Sequence, residues 1–283
     1  MAQEREKIFR LIETADNFVK YAAPGREARA EARARKRYLK AQRLAEQSRD
    51  DGLVEQVRLR LADLERRSTL APAERDAGSD DDTITSEPPE HATDRVPPGQ
   101  RIVRGWPVLH EGRIPRFDES TWSFSVDGAC ANSLAWSYSE LQDQGPTEMT
   151  SDFHCVTGWS KLDNHWRGVQ TKELLGRAIP NEGATHVLVH AEQGYTANVP
   201  LDVLQEDESM LAWGHNGKQL APKHGWPLRL VVPRLYGWKS VKWVRRFELL
   251  TADQRGFWEI RGYHNRADPW LEERYSYQEA EPA

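Results

Sequence analysis

Residues 152–169 read Asp152-Phe-His-Cys-Val-Thr-Gly-Trp-Ser-Lys-Leu-Asp-Asn-His-Trp-Arg-Gly-Val169 and contain one of the two cysteines of the 283-residue chain. The Thr157-Gly158 turn signal follows Cys155, so we expect this cysteine at the end of a strand, where ligands are often held. A thiolate is a soft donor that suits redox metals. Without a CxxC partner it fits a metal carried by an organic cofactor better than a site made of protein alone. The alternative, that Cys155 is a small buried apolar residue like most free cysteines, stays open from this stretch.

Two later segments accompany this stretch, and the three together resemble a known family. The first segment is His154-Cys-Val-Thr-Gly-Trp-Ser160, followed by Trp166-Arg-Gly-Val169 and a predicted helix. The others are His224-Gly-Trp-Pro-Leu-Arg-Leu-Val-Val-Pro233 and Leu235-Tyr-Gly-Trp-Lys-Ser-Val-Lys-Trp243. In this order they are similar to the cofactor-binding segments of the sulfite oxidase family of molybdenum enzymes. The similarity runs from about Pro97 to Tyr277, and is greatest to small stand-alone bacterial members that lack a haem domain and a dimerisation domain.

The resemblance implies a molybdenum–molybdopterin cofactor whose metal is bound by the sulfur of Cys155. It also implies that the later segments contact the pterin and its phosphate through His224, Arg229, Ser240, Val241 and Lys242. Arginine offers phosphate a planar fork and lysine a compact charge. Pro233 and Gly237 favour a shaped loop around Lys239 and Lys242, although an ordinary solvated strand face is the alternative for these lysines.

Other residues are assigned to the site by their positions within the resemblance. Tyr195 lies where family members place residues of the substrate mouth, and its hydroxyl could hydrogen-bond an oxo group or a substrate oxygen. A core tyrosine is the alternative. His110 and Thr157 are expected close to the cofactor, and Lys161 is a further neighbour of the cysteine.

The sequence departs from the family at the positions that select the substrate. Sulfite-oxidising members carry an arginine beside an Asn-His pair early in the domain and arginines after the ligand cysteine, whereas this chain has Val108-Leu-His-Glu-Gly-Arg113 and Val156-Thr-Gly-Trp-Ser160. Sulfoxide reductases carry a glutamate two residues after the cysteine, and this chain has Thr157 there. Neither substrate class is matched. The resemblance implies two-electron oxygen-atom transfer with a small-molecule donor or acceptor, and an external electron carrier.

The chain divides by composition into three parts. Residues 1–68 contain apolar residues at helical spacing and are predicted to form a helical N-terminal unit, with helices near 3–22, 26–48 and 53–67. Residues 69–98 are acidic and proline-rich with almost no apolar side chains, which predicts a disordered linker. Residues 99–278 form the third part, and the resemblance implies that they make up the molybdopterin-binding oxidoreductase domain.

The third part is predicted to be α+β with several mixed sheets, because no regular βαβ spacing appears. Residues 148–155 are expected to form a strand that delivers Cys155, and residues 171–179 a helix. Further strands are expected at residues 122–126, 186–190, 195–201, 210–213, 228–232 and 240–250.

Charge and hydropathy limit which kinds of partner and which cellular compartment we expect for this protein. No run of 18 apolar residues could span a bilayer, and no signal peptide is apparent. Two cysteines in so long a chain make the cytoplasm the default compartment. Residues 1–68 hold 17 Lys and Arg against 12 Asp and Glu, a balance more typical of a solvated helical face than of a nucleic-acid reader. We therefore expect neither a nucleic-acid nor a membrane partner.

The helical unit leaves two interpretations open. It can recruit a partner or a second copy of the chain, or it can be a passive appendage. The alternative function for the whole protein is a cofactor-free scaffold or adaptor that keeps the fold and works through these helices. Metal content distinguishes that scaffold from an oxidoreductase.

Overall fold

Three N-terminal helices form where apolar side chains recur every three to four residues. The computed structural model describes residues 2–20, 26–69, 93–110 and 112–279. The helices are α1 (Ala2–Lys20), α2 (Glu27–Gln47) and α3 (Asp51–Thr69). α3 begins two residues earlier than predicted, because the carboxylate of Asp50 accepts a hydrogen bond from the amide of Leu53 at 3.0 Å and caps the first turn. No helix in the described part of the chain is long and apolar enough to cross a membrane.

Small side chains and one polar group hold these helices together. α2 buries the small side chains of Ala34, Ala41 and Ala45 together with Tyr38, and the alanines let its neighbours approach closely. The buried carboxylate of Asp16 accepts hydrogen bonds from the hydroxyl of Tyr38 at 2.5 Å and from Arg60 at 3.2 Å. This ion pair lies among residues of all three helices, so the unit has a specific polar contact inside its small core.

The second unit begins earlier than the sequence predicted. Most of the predicted linker, residues 70–92, lies outside the described residues. Residues 93–98 were also assigned to the linker, yet Thr93–Arg95 form a helical turn. Arg95 donates to Asp152 at 2.9 and 2.5 Å and to Asp163 at 2.7 Å. Composition could not reveal this, because the two carboxylates are far away in sequence.

The second unit contains two mixed sheets and three short helices, so the predicted α+β class is confirmed. In chain order its elements are β1 (Arg101–Ile102), β2 (Ser123–Gly128), β3 (Leu134–Ser137), α4 (Tyr138–Gln142), β4 (Thr147–Cys155), β5 (Trp159–Gln170), α5 (Thr171–Ala178), β6 (His186–Ala191), β7 (Thr196–Pro200), α6 (Leu201–Leu204), β8 (Met210–His215), β9 (Lys218–Gln219), β10 (Arg229–Val231) and β11 (Val244–Leu250).

The six-stranded sheet is built around β5. β5 pairs antiparallel with β4 and β8 and parallel with β1, and β8 in turn pairs with β9 and β10. The five-stranded sheet has the order β3-β2-β11-β6-β7, in which only β2 and β11 are parallel. A single core cluster joins both sheets and α5 through residues such as Val169, Leu174, Val189, Leu230 and Phe247.

Two of the longer strands differ from the prediction, each because of a residue with positive φ. β5 was not predicted, since its polar residues hide the alternation and Asp163 has a φ of 54°. The strand predicted from Ser240 begins only at Val244, because Trp243 has a φ of 56° and interrupts the extended backbone. Residues 240–243 therefore form a loop beside the sheet.

Candidate active site

Cys155 is the last residue of β4, and a tight turn follows it. The amide of Gly158 donates to the carbonyl of Cys155 at 3.0 Å, and Gly158 has a φ of 86°, which favours glycine. The Cys155 side chain is 8% exposed. Its sulfur lies 3.1 Å from the hydroxyl oxygen of Thr157. The predicted position of Cys155 at a strand end is confirmed, and Thr157 lies against the sulfur.

The residues next to Cys155 divide between the two faces of β4. Because side chains alternate along a strand, Phe153 and Cys155 share one face and His154 occupies the other. The ring centre of Phe153 is 5.3 Å from the guanidinium carbon of Arg229. On the other face, Nδ1 of His154 is 2.8 Å from the hydroxyl of Ser160. Burial lowers the pKa of His154 to about 4, so its imidazole is neutral at neutral pH.

Arg229, at the start of β10, is a buried cation that has no carboxylate partner among the described residues. Its side chain is 1% exposed and donates to the carbonyls of His224 at 2.8 Å and Ser240 at 3.0 Å. The rings of Trp106 and Trp166 lie 4.9 and 5.7 Å from the guanidinium carbon. Burial lowers its pKa to about 9, so the group stays charged at neutral pH. A buried charge is costly unless an anion compensates it, which makes this position suited to an anionic ligand.

Lys242 lies directly opposite Arg229 in an antiparallel bridge. Its ammonium donates to the carbonyl of Lys223 at 2.7 Å. Burial, reinforced by the charge of Arg229, lowers the pKa of Lys242 well below its usual value, while Cys155 opposes that shift. Gly225 has a φ of 115°, and a Cβ there would lie 3.0 Å from Cβ of Arg229 and 3.1 Å from Cβ of Lys242. Only glycine at position 225 therefore lets the turn Pro222–His224 end against both Arg229 and Lys242.

His224 and Trp106 complete this cluster. Their ring centres are 4.0 Å apart with planes 4° from parallel. Nδ1 of His224 is buried and has no hydrogen-bond partner in the part of the chain that the structure describes. Burial, together with the charges of Lys242 and Arg229, lowers the pKa of His224 to about 2. The ring is therefore neutral, and an unsatisfied nitrogen is available to a ligand.

Trp106 was missed by the sequence prediction. It is buried and also contacts the ring of His215 at 4.5 Å and that of Trp166 at 5.3 Å between centres. Its motif, Gly105-Trp-Pro107, recurs as Gly225-Trp-Pro227 in the segment assigned to the cofactor. That repetition is the one signal by which the sequence could have pointed to it.

Comparisons with known proteins identify the family. A family model described as the oxidoreductase molybdopterin binding domain matches residues 111–258. YuiH, an uncharacterized oxidoreductase of Bacillus subtilis (strain 168), is 43% identical over 184 residues, which are 65% of this chain and 93% of that protein. The chain therefore belongs to the family of the oxidoreductase molybdopterin binding domain.

More distant relatives agree with that assignment. Nitrate reductase (NADH) 1 of Oryza sativa subsp. japonica is 26% identical over 188 residues, which are 54% of this chain and 20% of that protein. The crystal structure of the sulfane dehydrogenase SoxCD from Paracoccus pantotrophus shares the fold, with a TM-score of 0.50 and 18% identity over 72% of this chain and 64% of that one. The resemblance to the sulfite oxidase family is confirmed, and the chain is a molybdopterin-dependent oxidoreductase with the molybdenum cofactor.

The cluster around Arg229 fits this cofactor. Molybdopterin ends in a phosphate and carries ring nitrogens and oxygens. Arg229 and Lys242 supply two neighbouring cationic groups, and neither forms an ion pair among the described residues. His224 supplies a buried nitrogen without a partner. These residues belong to the two segments in which the sequence predicted cofactor contacts.

Two other predicted cofactor residues are engaged within the protein. The hydroxyl of Ser240 accepts a hydrogen bond from the amide of Val232 at 2.9 Å, and its carbonyl accepts from Arg229. The Val241 side chain is 1% exposed, and its carbonyl accepts from the amide of Leu230 at 2.7 Å. Both residues support the loop that carries Lys242, and their direct contact with the cofactor stays a prediction.

Lys239 differs sharply from Lys242, although only two residues separate them. Its side chain is fully buried and its ammonium lies 2.6 Å from the carboxylate of Glu259, which is also fully buried. It also donates to Asn198 at 2.8 and 2.7 Å and to the carbonyl of Asn265 at 2.7 Å. Neither interpretation of Lys239 from the sequence is right, because it is neither on a solvated face nor available to a ligand.

The remaining predicted residues lie at the margins of the cluster. The hydroxyl of Tyr195 donates to the carbonyl of Trp238 at 3.0 Å, so Tyr195 supports the loop that carries Lys242. His110 is exposed, with its ring edge-on to that of Trp243 at 5.2 Å. Lys161 donates to the carbonyl of Arg104 at 3.1 Å. A substrate role for Tyr195 and a cofactor role for His110 stay predictions.

Proposed function

We propose that this oxidoreductase catalyses two-electron oxygen-atom transfer, with Cys155 as the protein ligand of molybdenum and an external carrier supplying or accepting electrons. The observation that carries the proposal is the burial of Arg229 beside Lys242, with no carboxylate of residues 2–20, 26–69, 93–110 or 112–279 paired with either. Such an arrangement costs free energy until a strong anion enters. A cofactor phosphate is an anion of this kind, whereas a cofactor-free scaffold has no use for a buried arginine beside a lysine.

Each residue of the cluster has a distinct part in this proposal. Arg229 and Lys242 hold the phosphate, and Nδ1 of His224 accepts a hydrogen bond from the pterin. Thr157 orients a hydrogen bond at the Cys155 sulfur, which reduces the charge on the thiolate and tunes its donor strength. Trp106 covers His224 and Arg229 and keeps water away from them.

The bound cofactor supplies a metal that accepts or gives two electrons at once, while the protein supplies orientation and electrostatics. The substrate class follows as a small oxygen-atom donor or acceptor. Tyr195 and Lys161 are the polar residues that we assign to its approach. We further propose that the protein works in the cytoplasm, since no disulfide joins its two cysteines, Cys130 and Cys155.

The test is the metal and pterin content of the purified full-length protein. We expect molybdenum together with the fluorescence of oxidised pterin, and turnover with an oxygen-atom donor or acceptor. Protein that carries neither metal nor pterin after expression in a host that makes the cofactor would support the scaffold instead.

A further inference from the structure

The turn that follows Cys155 is held by side chains that are far away in the sequence. β4 ends at Cys155, which is paired with Trp159 at the close of the ladder. The carbonyl of Cys155 accepts a hydrogen bond from the side-chain amide of Gln100 at 3.1 Å. The next carbonyl, that of Val156, accepts a hydrogen bond from the guanidinium of Arg274. Two consecutive peptide groups at the cysteine are thus fixed by residues from near the two ends of the second unit.

Arg274 is the charged member of this pair of donors. Its guanidinium carbon lies 5.1 Å from the ring centre of Tyr236, which is fully buried. The Arg274 side chain is 16% exposed, and the carboxylate of Glu272 lies 3.7 Å away on the solvent side. A charged donor forms a stronger hydrogen bond than a neutral amide does. We therefore expect Arg274 to contribute more than Gln100 to the hold on the turn.

The backbone of Arg274 is itself fixed, as a residue that restrains another requires. Its amide donates to the side-chain oxygen of Gln278 at 2.9 Å, and its carbonyl accepts from the amide of His264 at 3.1 Å. Arg274 lies beyond residues 111–258, which the family model matches. The segment after that match therefore reaches back to the residue that follows Cys155.

We propose that Arg274 is a positioning residue for Cys155, because it holds the peptide group after the cysteine and so fixes the direction in which the sulfur meets the metal. The inference rests on the proposed function, in which Cys155 is the protein ligand. Electron donation by a thiolate depends on the torsion about its Cβ–Sγ bond, since that torsion decides which sulfur lone pair faces the metal. A residue that restrains the neighbouring peptide affects the metal without touching it.

The first measurement is the alkylation of Cys155 by iodoacetamide in full-length protein made without the cofactor, with Cys130→Ser as the parent so that one thiol remains. Cys155 is 8% exposed, so alkylation requires the turn to open locally. The rate is taken at the high-pH plateau, where changes in the thiol pKa no longer affect it. Arg274→Gln should raise this rate roughly tenfold, the ratio expected when one charge-assisted hydrogen bond is lost.

Arg266→Gln is the matched control for this measurement. Arg266 belongs to the same C-terminal segment, but its side chain is 54% exposed and its nearest carboxylate, that of Asp268, is 3.9 Å away. This variant should be alkylated at the rate of the parent. Urea denaturation of each variant shows whether a faster rate reflects local opening or a general loss of stability.

The second measurement is the molybdenum(V) resonance of the reduced, cofactor-loaded protein. Arg274→Gln should shift the g values, because the sulfur is no longer held at one torsion. Arg274→Lys keeps a cationic donor and should give a spectrum closer to that of the wild type. Arg266→Gln should give the wild-type spectrum. A residue that only supports the fold would change stability without this graded change in the resonance.

Either measurement can overturn the proposal. A parental alkylation rate in Arg274→Gln, or a wild-type resonance in that variant, would do so. If Arg274→Gln does not fold, Arg274→Lys takes its place in both measurements, and failure of both variants to fold would make Arg274 a structural residue only. Wild-type protein without molybdenum overturns the proposed function and with it the metal-directed part of this inference. Loaded wild type, with no effect of Arg274→Gln, overturns the positioning role alone.

Discussion

Arg229 and Lys242 are directly opposite each other in an antiparallel bridge, and neither forms an ion pair with a carboxylate among the described residues. Like charges that face each other across strands destabilise a sheet. The cost is greater here because Arg229 is almost fully buried. Folding thus builds a positive site in advance, and the binding of an anion recovers the free energy. Replacing either residue with an apolar one should therefore keep or raise the stability of the cofactor-free protein and lower its retention of the cofactor.

The first prediction concerns Arg229→Met, which keeps an apolar side chain among the surrounding rings. Cofactor-free protein should be as stable as the wild type or more stable, because a buried uncompensated charge has been removed. Pterin retained after dialysis should fall, since a charge-assisted hydrogen bond contributes about 1.5–3 kcal/mol. Chemical denaturation and pterin fluorescence measure the two effects. Arg234→Met, at an exposed arginine paired with Glu206, should retain the cofactor; equal retention in both variants would contradict the assignment.

Lys239 and Lys242 provide a second, paired prediction. Lys239→Met leaves the buried carboxylate of Glu259 without its cation, so the free energy of unfolding should fall by roughly 3–5 kcal/mol. Lys242→Met should leave the cofactor-free protein at least as stable as the wild type and reduce the pterin content instead. Urea denaturation and pterin content of both variants test this. A large loss of stability in Lys242→Met, with pterin retained, would show that Lys242 has a structural role and does not hold the cofactor.

Cys155→Ser tests the proposed metal ligand. A hydroxyl is a far poorer ligand than a thiolate for a soft redox centre, so turnover should collapse while the fold persists. Pterin should be lost only in part, because Arg229 and Lys242 remain. Cys130→Ser is the control, as Cys130 lies just beyond the end of β2, is only partly buried, and its sulfur donates to the carbonyl of Asn132 at 3.3 Å. The molybdenum(V) resonance of the reduced protein should change in Cys155→Ser alone, and an identical spectrum in that variant would refute the ligand assignment.

The buried histidines predict that acid destabilises the cofactor-free protein. The folded state lowers the pKa of His215 to about 3, mainly through burial and then through the charge of Arg229, and that of His224 to about 2. In the unfolded chain histidine titrates near about 6.5. Between these values the unfolded chain binds protons that the folded one does not, so stability present above about pH 6.5 is lost as the pH falls towards 3.

Each of these histidines contributes a slope of up to about 1.4 kcal/mol per pH unit in that window. His215→Gln should therefore flatten the dependence of the unfolding free energy on pH between 6.5 and 4. Denaturation curves at several pH values measure it. A slope as steep in His215→Gln as in the wild type would mean that other groups cause the acid sensitivity.

Two truncations test where the second unit begins. We expect a protein that starts at Thr93 to fold and to load the cofactor, because Arg95 still pairs with Asp152 and Asp163. A protein that starts at Gln100 lacks Arg95 and the turn around it, and should be less stable. Thermal unfolding and molybdenum content of both proteins provide the comparison. If the shorter protein matched the longer one in both, the contribution of Arg95 would be negligible. If the solution mass shows fewer subunits per particle after residues 1–92 are removed, self-association through the helices would be favoured.

The sequence predicted the parts of the site that lie within single segments. Cys155 was expected at a strand end because the turn signal that follows it is local, and His224, Arg229 and Lys242 were expected in one cluster because their motifs occur in the family order. α1 and α3 were predicted from the periodicity of their apolar residues, and α2 from its composition of strong helix formers. β5 was missed because a polar strand with a positive φ at Asp163 lacks the alternation on which strand prediction depends.

Only the tertiary structure decided which residues of these motifs are available to a ligand. Lys239 and Lys242 look equivalent in the sequence, yet one meets Glu259 and the other lies opposite Arg229, because the chain turns between them. Trp106 reaches His224 although 117 residues lie between them. Such contacts depend on how distant segments pack. A local pattern of residue types therefore does not reveal which distant residue each side chain will contact.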